Sequence, residues 1–265
     1  MTNTTDLAQL QSPKKRLDDA PLVQGSVLII ADLQIPYQDG PFLFNLLSLA
    51  KAWGITQGIS AGDFFNESAF SPLCNKATAK DWEEEARVAG NVYSVMQKYV
   101  PNWLFLLGNH DAYILHALEN QITHKDVLTI ANIDAKSTNY YWCTVVDHQG
   151  NMWRVSHPKN TSTAPIRIPQ LLSRKFKMNI IAGHGHLSGM SPDDSGDYCC
   201  IDTGICCDPD RLDYATERDN TRPKMTQGAV ILKEADGILY PYHILPKWTD
   251  WGNLRRLYKE TSSAN

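Results

Sequence analysis

The 265-residue chain has 25 basic and 29 acidic residues, a net charge of −4, and 43% hydrophobic residues. This composition is typical of a globular protein with a sizeable core, and the charge gives no overall argument for binding nucleic acid or a membrane surface. No run of about 18 apolar residues occurs, so the sequence predicts no membrane-spanning helix and no membrane partner. Residues 1–22 are polar and lack an apolar signal-peptide core, so we expect a flexible arm on a cytoplasmic protein.

The first half of the chain alternates between apolar runs that predict strands and segments with helical spacing of apolar residues. Pro101 ends the longest of these predicted helices, because proline cannot donate its backbone hydrogen bond. In chain order the sequence predicts strand Ser26–Ala31, helix Gly40–Trp53, strand Ile55–Ala61, helix Lys80–Tyr99, strand Trp103–Leu107 and helix Ala112–Asn120.

The second half is dominated by strands, several of them joined as hairpins. βαβ units in the first half, followed by hairpin-linked strands in the second, predict two packed sheets with helices outside. We expect this domain to span residues 23–246, followed by a C-terminal tail over 247–265. The predicted elements are hairpin Tyr140–Val146 with Asn151–Ser156, helix Ile166–Phe176, strands Met178–Ala182 and Tyr198–Thr203, and hairpin Gln227–Lys233 with Ile238–Leu245.

Five of the predicted strands end in short polar motifs. Open α/β sheets build their sites outside the carboxyl ends of strands, so these motifs are expected to meet at one edge. Oxygen and nitrogen ligands of this kind suit two divalent metal ions and the hydrolysis of a phosphate ester. The motifs are Asp32-Leu33-Gln34, Gly62-Asp63, Gly108-Asn109-His110-Asp111, Ser156-His157 and Gly183-His184-Gly185-His186.

The order and spelling of these motifs resemble the calcineurin-like metallophosphoesterase superfamily, whose pattern is D-x-H, G-D, G-N-H-[DE], a lone H and G-H-x-H. The resemblance runs from Val27 to Pro246, and it departs at Gln34, where most members have His. It implies a four-layer α/β/β/α sandwich of two mixed sheets flanked by helices. It also implies a dinuclear metal-dependent phosphoesterase that hydrolyses a phosphodiester or nucleotide-type linkage by a metal-bridging hydroxide.

The resemblance also implies which residues hold the two metal ions. A shared carboxylate offsets the repulsion between two neighbouring cations, and by resemblance that bridge is Asp63. Manganese is the expected ion, with magnesium, iron(II) and zinc as alternatives. One site would be completed by Asp32, Gln34 and His186, and the other by Asn109, His157 and His184.

Gln34 leaves three interpretations open. Its amide oxygen is a harder donor than an imidazole nitrogen, so as a ligand it would shift preference from zinc toward manganese or magnesium. Alternatively it bonds only a metal-bound water beside a weakly held first metal, or the site is degenerate and non-catalytic. Some active superfamily members that cleave nucleotide diphosphate linkages also have Gln at this position.

His110 and Asp111 are the expected catalytic pair. By resemblance His110 faces the substrate and protonates the leaving oxygen or stabilises charge on the phosphoryl group. Asp111 either orients His110 or caps the following helix. Loop residues after the motifs are candidates for substrate binding: Tyr37, Asn66, Lys159 and Asn160.

The expected partner is a phosphate-ester substrate, a class that includes nucleotides and nucleic acid. A small or nucleotide-like substrate is favoured, because the chain leaves little room for an added cap. A DNA or RNA exonuclease and a protein phosphatase of the same fold are alternatives within the enzyme class. A metal-bearing binding module with a degenerate first site is the alternative of another class.

The late cysteines form two adjacent pairs, Cys199-Cys200 and Cys206-Cys207. Neighbouring residues point to opposite faces of a strand, and no Cys-x-x-Cys spacing occurs, which disfavours a zinc knuckle. We expect these thiols to be reduced and structural, as is usual in a cytosolic protein.

Overall fold

The computed structural model describes residues 20–71, 81–212 and 223–258. Within these ranges the chain forms two six-stranded sheets and six α-helices, with a short 3₁₀ turn at Pro246–Trp248. The strands are β1 Leu22–Gln24, β2 Val27–Ile30, β3 Gln57–Ser60, β4 Asn102–Phe105, β5 Lys136–Ser137, β6 Trp142–Val146, β7 Met152–Ser156, β8 Asn179–Ala182, β9 Ser188–Pro192, β10 Cys199–Thr203, β11 Ala229–Ala235 and β12 Ile238–Ile244. The helices are α1 Gly40–Ala52, α2 Trp82–Tyr99, α3 Tyr113–Ala117, α4 His124–Ile130, α5 Arg167–Phe176 and α6 Trp251–Arg256.

Both long helices at the start of the domain begin at an aspartate cap. The Asp39 side chain accepts the Phe42 N–H at the start of α1, and Asp81 accepts the Glu83 N–H at the start of α2. Such caps satisfy backbone donors that have no partner within the helix. Helix α2 also carries three glutamates in its first turn, where the helix dipole favours negative charge.

One sheet, called sheet I here, has the strand order β12-β11-β2-β3-β4-β5. Strands β2, β3, β4 and β5 run parallel, whereas β11 and β12 are added antiparallel at one side. Sheet II has the order β1-β6-β7-β8-β10-β9 and is also mixed. Its β7, β8 and β10 run parallel to one another, and hairpins place β6 and β9 antiparallel to their neighbours.

The two sheets pack face to face over a buried apolar layer. Val27, Ile29 and Ile59 of sheet I lie in the same cluster as Val155 and Ile181 of sheet II. A second core separates the other face of sheet I from α1 and α2. Helix α5 packs on β8 and β10 of sheet II. The predicted α/β/β/α arrangement of two mixed sheets between helical layers is therefore confirmed.

Residues 1–19, most of the expected arm, lie outside the described residues, whereas Leu22–Gln24 pairs with β6 as strand β1. The segment expected as a tail also needs correction, because α6 packs on α1 and contributes Leu254 to the core. The Trp53 Nε1–H donates to the Leu254 carbonyl at 2.8 Å, which fixes this contact. Helix α4 was not predicted. No helix in the described ranges is long and apolar enough to cross a membrane.

Candidate metal centre

The candidate ligands come together where the strands of both sheets end. Sheet I supplies the oxygen and amide ligands, with Asp32 and Gln34 after β2, Asp63 after β3 and Asn109 after β4. Sheet II supplies the three imidazoles. His157 follows β7, and His184 and His186 follow β8. The structure thus brings residues of the five motifs close together at the junction of the two sheets, and their role as metal ligands stays a prediction.

The turns that carry the ligands have an unusual backbone conformation. Five of the seven candidate ligands have a left-handed φ, between 44° and 70°. This conformation disfavours residues with a Cβ atom and costs of order 1 kcal/mol or more at each position. Packing alone does not call for such strain, and its concentration at one edge is typical of a functional site. The five residues are Asp32, Gln34, Asp63, His184 and His186.

Two glycines allow the turns to approach one another closely. A Cβ atom at Gly108 would lie 2.1 Å from the Asp63 backbone nitrogen, and one at Gly62 would lie 2.5 Å from His157 Nδ1. Neither distance is possible for a real side chain. The glycines of the G-D and G-N-H-D motifs therefore let the Asp63 turn lie directly against the turn after β4 and the ring of His157.

When its ring is neutral, His157 points an unprotonated nitrogen at two oxygen atoms. Its Nδ1 donates to the Ala61 carbonyl at 2.9 Å, because a carbonyl can only accept. Its Nε2 lies 3.0 Å from Asn109 Oδ1 and 3.4 Å from Asp63 Oδ2, and all three atoms are acceptors in this tautomer. Asp63 Oδ2 accepts no hydrogen bond in the described part of the chain. Three facing acceptors need positive charge between them, which a proton supplies in the metal-free site and a divalent metal can supply in its place.

The spacing of these atoms agrees with that interpretation. Neighbouring ligands of a divalent cation bound at about 2.1 Å lie about 3 Å apart. Asp63, His157 and His184 form one group whose ligand atoms all lie within 4.8 Å of one another. The rings of His157 and His184 are 4.8 Å apart between centroids.

The second group consists of Asp32, Asp63 and His186, with ligand atoms again within 4.8 Å. His186 Nε2 lies 3.1 Å from Asp32 Oδ1, while Asp32 Oδ2 accepts the His184 N–H at 3.0 Å. Asp63 belongs to both groups, and its role as the bridging carboxylate that the resemblance implies stays a prediction.

Gln34 lies at the edge of this second group. Its amide Nε2 is 3.3 Å from His186 Nε2, and the side chain is fully buried. Rotation of the amide by 180° exchanges nitrogen and oxygen at the same position, and the oxygen form would converge on Asp32 and His186. Gln34 is thus close enough to contribute to the first site, and its role as ligand stays a prediction.

Charges within the site shift the pKa values of its residues. Burial alone raises the pKa of Asp63, but His157 and His110 outweigh it, so this carboxyl titrates below its ordinary range. Burial alone lowers the pKa of His157, but the Asp63 carboxylate outweighs it and raises the pKa to about 9. Burial and the neighbouring His157 lower the pKa of His184 to about 4. His184 is therefore neutral at pH 7, the state that binds metals.

His110 lies beside the shared carboxylate, and its backbone N–H donates to Asp63 Oδ1 at 2.8 Å. Its ring Nδ1 donates to the Asn66 carbonyl at 2.8 Å, and the ring stacks obliquely on Tyr113 at 5.0 Å. This geometry corrects the expectation for Asp111, which does not orient His110. The Asp111 carboxylate is fully buried and accepts the N–H groups of Phe65 and Gly108.

The four expected substrate residues differ in position. Tyr37 is only 4% exposed and packs with Ile205, Cys207 and Leu212, and its contact with substrate stays a prediction. Asn66 is also buried and offers its carbonyl to His110. Lys159 and Asn160 are exposed on the loop after His157, and their contact with substrate stays a prediction.

Two glutamates near the site are buried, which the sequence analysis did not predict. Glu85 is 1% exposed at the start of α2, and Glu67 is fully buried in the loop after β3. In sequence, Glu85 is one of three consecutive glutamates in a helical first turn, a pattern typical of solvated charge. The available signal was the spacing of Glu85 from Trp82 and Ala89, which places it on the apolar face of α2.

The late cysteines are free thiols. Cys200, Cys206 and Cys207 are buried and Cys199 is half-buried, and burial raises the pKa of Cys199 and Cys200 to about 11. Such thiols are largely protonated at pH 7 and are poor metal ligands. No cysteine in the described residues belongs to a candidate metal group. Cys74 lies outside the described residues.

The sequence matches no protein-family model and no curated protein. Among solved structures, the chain is similar to YfcE, a phosphoesterase from E. coli, at 11% identity and a TM-score of 0.44, over 83% of this chain and 98% of that chain. Vps29 from Chaetomium thermophilum has 13% identity and a TM-score of 0.46, with 84% and 93% covered. Vps29 from Entamoeba histolytica, complexed with zinc, has 12% identity and a TM-score of 0.42, with 83% and 98% covered. At these values the likeness carries no argument about activity.

Proposed function

We propose that this chain is a metal-dependent phosphoesterase with the motif order and two-sheet fold of the calcineurin-like metallophosphoesterase superfamily. The observation that supports it best is the pair of ligand groups that share Asp63. Each group combines a carboxylate with imidazole, the donor set that zinc, manganese and iron accept. Two cations held there would supply Lewis acidity toward a phosphoryl group and an activated water.

The chain's own residues would hold and orient the reacting groups. Asp63 would join the two halves of the site, with Asp32 and His186 on one side and His157 and His184 on the other. The Ala61 carbonyl fixes the tautomer of His157, so that Nε2 faces the site. A second-sphere hydrogen bond of this kind is typical of histidines that bind metal.

His110 is the candidate proton donor. Its Nδ1–H is committed to the Asn66 carbonyl, so proton exchange with a substrate falls to Nε2. When the ring is doubly protonated, Nε2–H can donate to the leaving oxygen of a phosphate ester. The backbone N–H of His110 donates to Asp63 Oδ1, and this proximity supports a role for the ring beside the phosphoryl group.

We propose a phosphodiester or a nucleotide-type phosphate linkage as the substrate and Mn²⁺ as the preferred ion. The experiment is a hydrolysis assay of bis(p-nitrophenyl) phosphate, nucleotides, oligonucleotides and a phosphopeptide, with Mn²⁺, Mg²⁺ or Zn²⁺ added after EDTA treatment. Asp63→Asn and His184→Ala should each lower kcat by several orders of magnitude, because each removes a ligand. Asp134→Asn is the matched control, since this carboxylate is exposed and pairs with Lys125.

The outcomes separate the candidate classes. Metal-dependent turnover that is lost in Asp63→Asn and retained in Asp134→Asn supports the enzyme, and the preferred substrate distinguishes diesterase, nuclease and protein phosphatase. Absence of turnover on the whole panel, together with metal binding that requires Asp63, would support the binding module instead. Unchanged turnover in Asp63→Asn at saturating metal would contradict the assignment of the site.

A further inference from the structure

Two buried carboxyl groups lie next to the candidate site and belong to neither ligand group. Glu85 projects from the first turn of α2, and Glu67 lies in the loop between β3 and α2. A buried carboxyl group costs free energy unless it is neutral or well hydrogen-bonded. Glu85 therefore needs a reason to be buried that the metal ligands do not supply.

Glu85 holds the loop that follows Asp63. Its Oε1 accepts two consecutive backbone N–H groups, from Asn66 at 2.9 Å and from Glu67 at 2.7 Å. Glu67 has a left-handed φ of 48°, a conformation that is strained for a residue with a side chain. The paired hydrogen bonds to one acceptor oppose relaxation of this strained turn.

The same peptide segment orients His110. The Asn66 carbonyl accepts the His110 Nδ1–H at 2.8 Å, so its position sets the tilt of the ring. Glu85 binds the N–H groups on either side of that carbonyl, at Asn66 and at Glu67. The contacts thus form a continuous path from Glu85 through one peptide unit to the ring.

A second carboxyl group closes the arrangement from the other side. Glu67 Oε2 accepts the Ile114 N–H at 2.8 Å, in helix α3 just after the turn that carries His110. The loop is therefore tied to α2 by Glu85 and to α3 by Glu67. Loss of the hydrogen bonds of either glutamate would move the Asn66 carbonyl relative to the turn that carries His110.

The protonation of Glu85 suits this task. Burial raises the pKa of Glu85 to about 8, although the N–H donors of Glu67 and Asn66 lower it in part. At pH 7 the group is mostly a neutral acid, which accepts two hydrogen bonds without adding negative charge near Asp63. Glutamine has the same length and the same acceptor oxygen, so it should serve as a close substitute.

We propose that Glu85 is a positioning residue that fixes the orientation of the His110 ring through the backbone of Asn66 and Glu67. The catalytic part of this inference rests on the proposed function, in which His110 donates the proton. The positioning part does not depend on it, because the ring's hydrogen bond can be observed in the absence of turnover.

The test compares Glu85→Met, which keeps the length of the side chain but removes both acceptors, with Glu85→Gln, which keeps the acceptor. Glu84→Met is the matched control on the same turn of α2. Glu84 is exposed and pairs with Arg87 at 2.7 Å. Each variant is made in the full chain and studied both after EDTA treatment and with saturating Zn²⁺, a diamagnetic ion suited to NMR.

The first readout is the NMR signal of the His110 Nδ1–H, assigned by its loss in His110→Gln. We expect this hydrogen-bonded signal in the wild type, in Glu85→Gln and in Glu84→Met, and its loss or a large shift in Glu85→Met. The second readout is kinetics with Mn²⁺. Because misplacement of a catalytic group by about 1 Å costs up to about 100-fold, Glu85→Met should lower kcat by 10- to 100-fold with little change in KM.

An unchanged His110 signal in a folded Glu85→Met would overturn the proposal, as would equal losses of kcat in Glu85→Met and Glu84→Met. If Glu85→Met does not fold, Glu85→Asp takes its place, because it keeps the carboxyl group but withdraws the acceptor by one methylene. The signal should then be shifted in Glu85→Asp and preserved in Glu85→Gln, and no shift would refute the positioning role. Absence of turnover in the wild type with an intact NMR result would refute the proposed function alone.

Discussion

In the metal-free protein, a proton should replace the cation between His157 and Asp63. The Nε2 and Oδ2 atoms lie 3.4 Å apart, with both side chains about 1% exposed. Burial alone would lower the pKa of His157, but Asp63 raises it from 6.5 to about 9. At 1.36 kcal/mol per unit, this shift corresponds to about 3 kcal/mol of stabilisation.

The sign of the pH dependence follows from the direction of each shift. His157 has a folded pKa above its unfolded value, so its contribution is complete below pH 6.5 and is lost as the pH rises through about 9. Asp63 has a lowered pKa, so its contribution is present above its ordinary value of 3.8. Both contributions are therefore present between pH 3.8 and pH 6.5, and the metal-free site is most stable in this range.

Asp63→Asn removes the partner of His157 and should return its pKa to below 6.5. In urea unfolding with EDTA, the variant should be less stable than the wild type by about 3 kcal/mol near pH 6, and this gap should shrink or reverse near pH 10. Asp134→Asn, which replaces an exposed carboxylate, should show no comparable pH dependence of its stability difference from the wild type. An equal difference in unfolding free energy between Asp63→Asn and the wild type at both pH values would refute this account, as would a wild-type His157 that titrates below 6.5 by NMR.

Three further predictions concern the site and its surroundings. If Gln34 binds the first metal through oxygen, Gln34→His should move the metal preference of activity from Mn²⁺ or Mg²⁺ toward Zn²⁺, and identical metal titrations of both proteins would exclude it as a ligand. Gly108→Ala should displace Asp63, because the added Cβ would lie 2.1 Å from the Asp63 backbone nitrogen. It should lower the metal affinity measured by calorimetry and the free energy of unfolding by about 1–3 kcal/mol. Normal metal binding would contradict this close approach. Leu254→Ala should lower the free energy of unfolding by about 1–2 kcal/mol, because this residue covers the core beside Trp53, and an unchanged midpoint would show that α6 is a tail after all.

That the candidate ligands lie together was predictable because chemistry and local structure coincide at the strand ends, whereas their division between two metal ions was implied by the resemblance and stays a prediction. Apolar runs such as Ile55–Ala61 identify strands, and a polar residue directly after a buried strand has few structural reasons to be there. His184 and His186 are two residues apart in a short turn, so the sequence allowed each of them to face a different metal ion, and the structure places them in different candidate groups. The four-layer fold followed in the same way, from βαβ units and from hairpin turns.

The supporting residues were less predictable, because their roles depend on contacts between distant segments. Asp111 stands next to His110 in sequence, yet its carboxylate reaches Phe65, 46 positions away. Glu85 is indistinguishable from Glu84 in a run of charges until α2 is packed against the loop after β3. Helix α4 has only seven residues, too short for a periodic pattern to separate it from a loop.

The division of the ligands between the two sheets gives the metal centre a mechanical role. Every predicted imidazole ligand belongs to sheet II and every predicted carboxylate or amide ligand to sheet I, so bound cations would join the two sheets at the open end of the sandwich. The distance between the sheets that such cations would span is set by the apolar layer between them, to which Ile29 and Val155 contribute. A smaller residue in that layer would let one sheet slide over the other and alter metal affinity without touching a ligand. The metal affinity would therefore depend on residues in the interior of the protein as well as on the ligands.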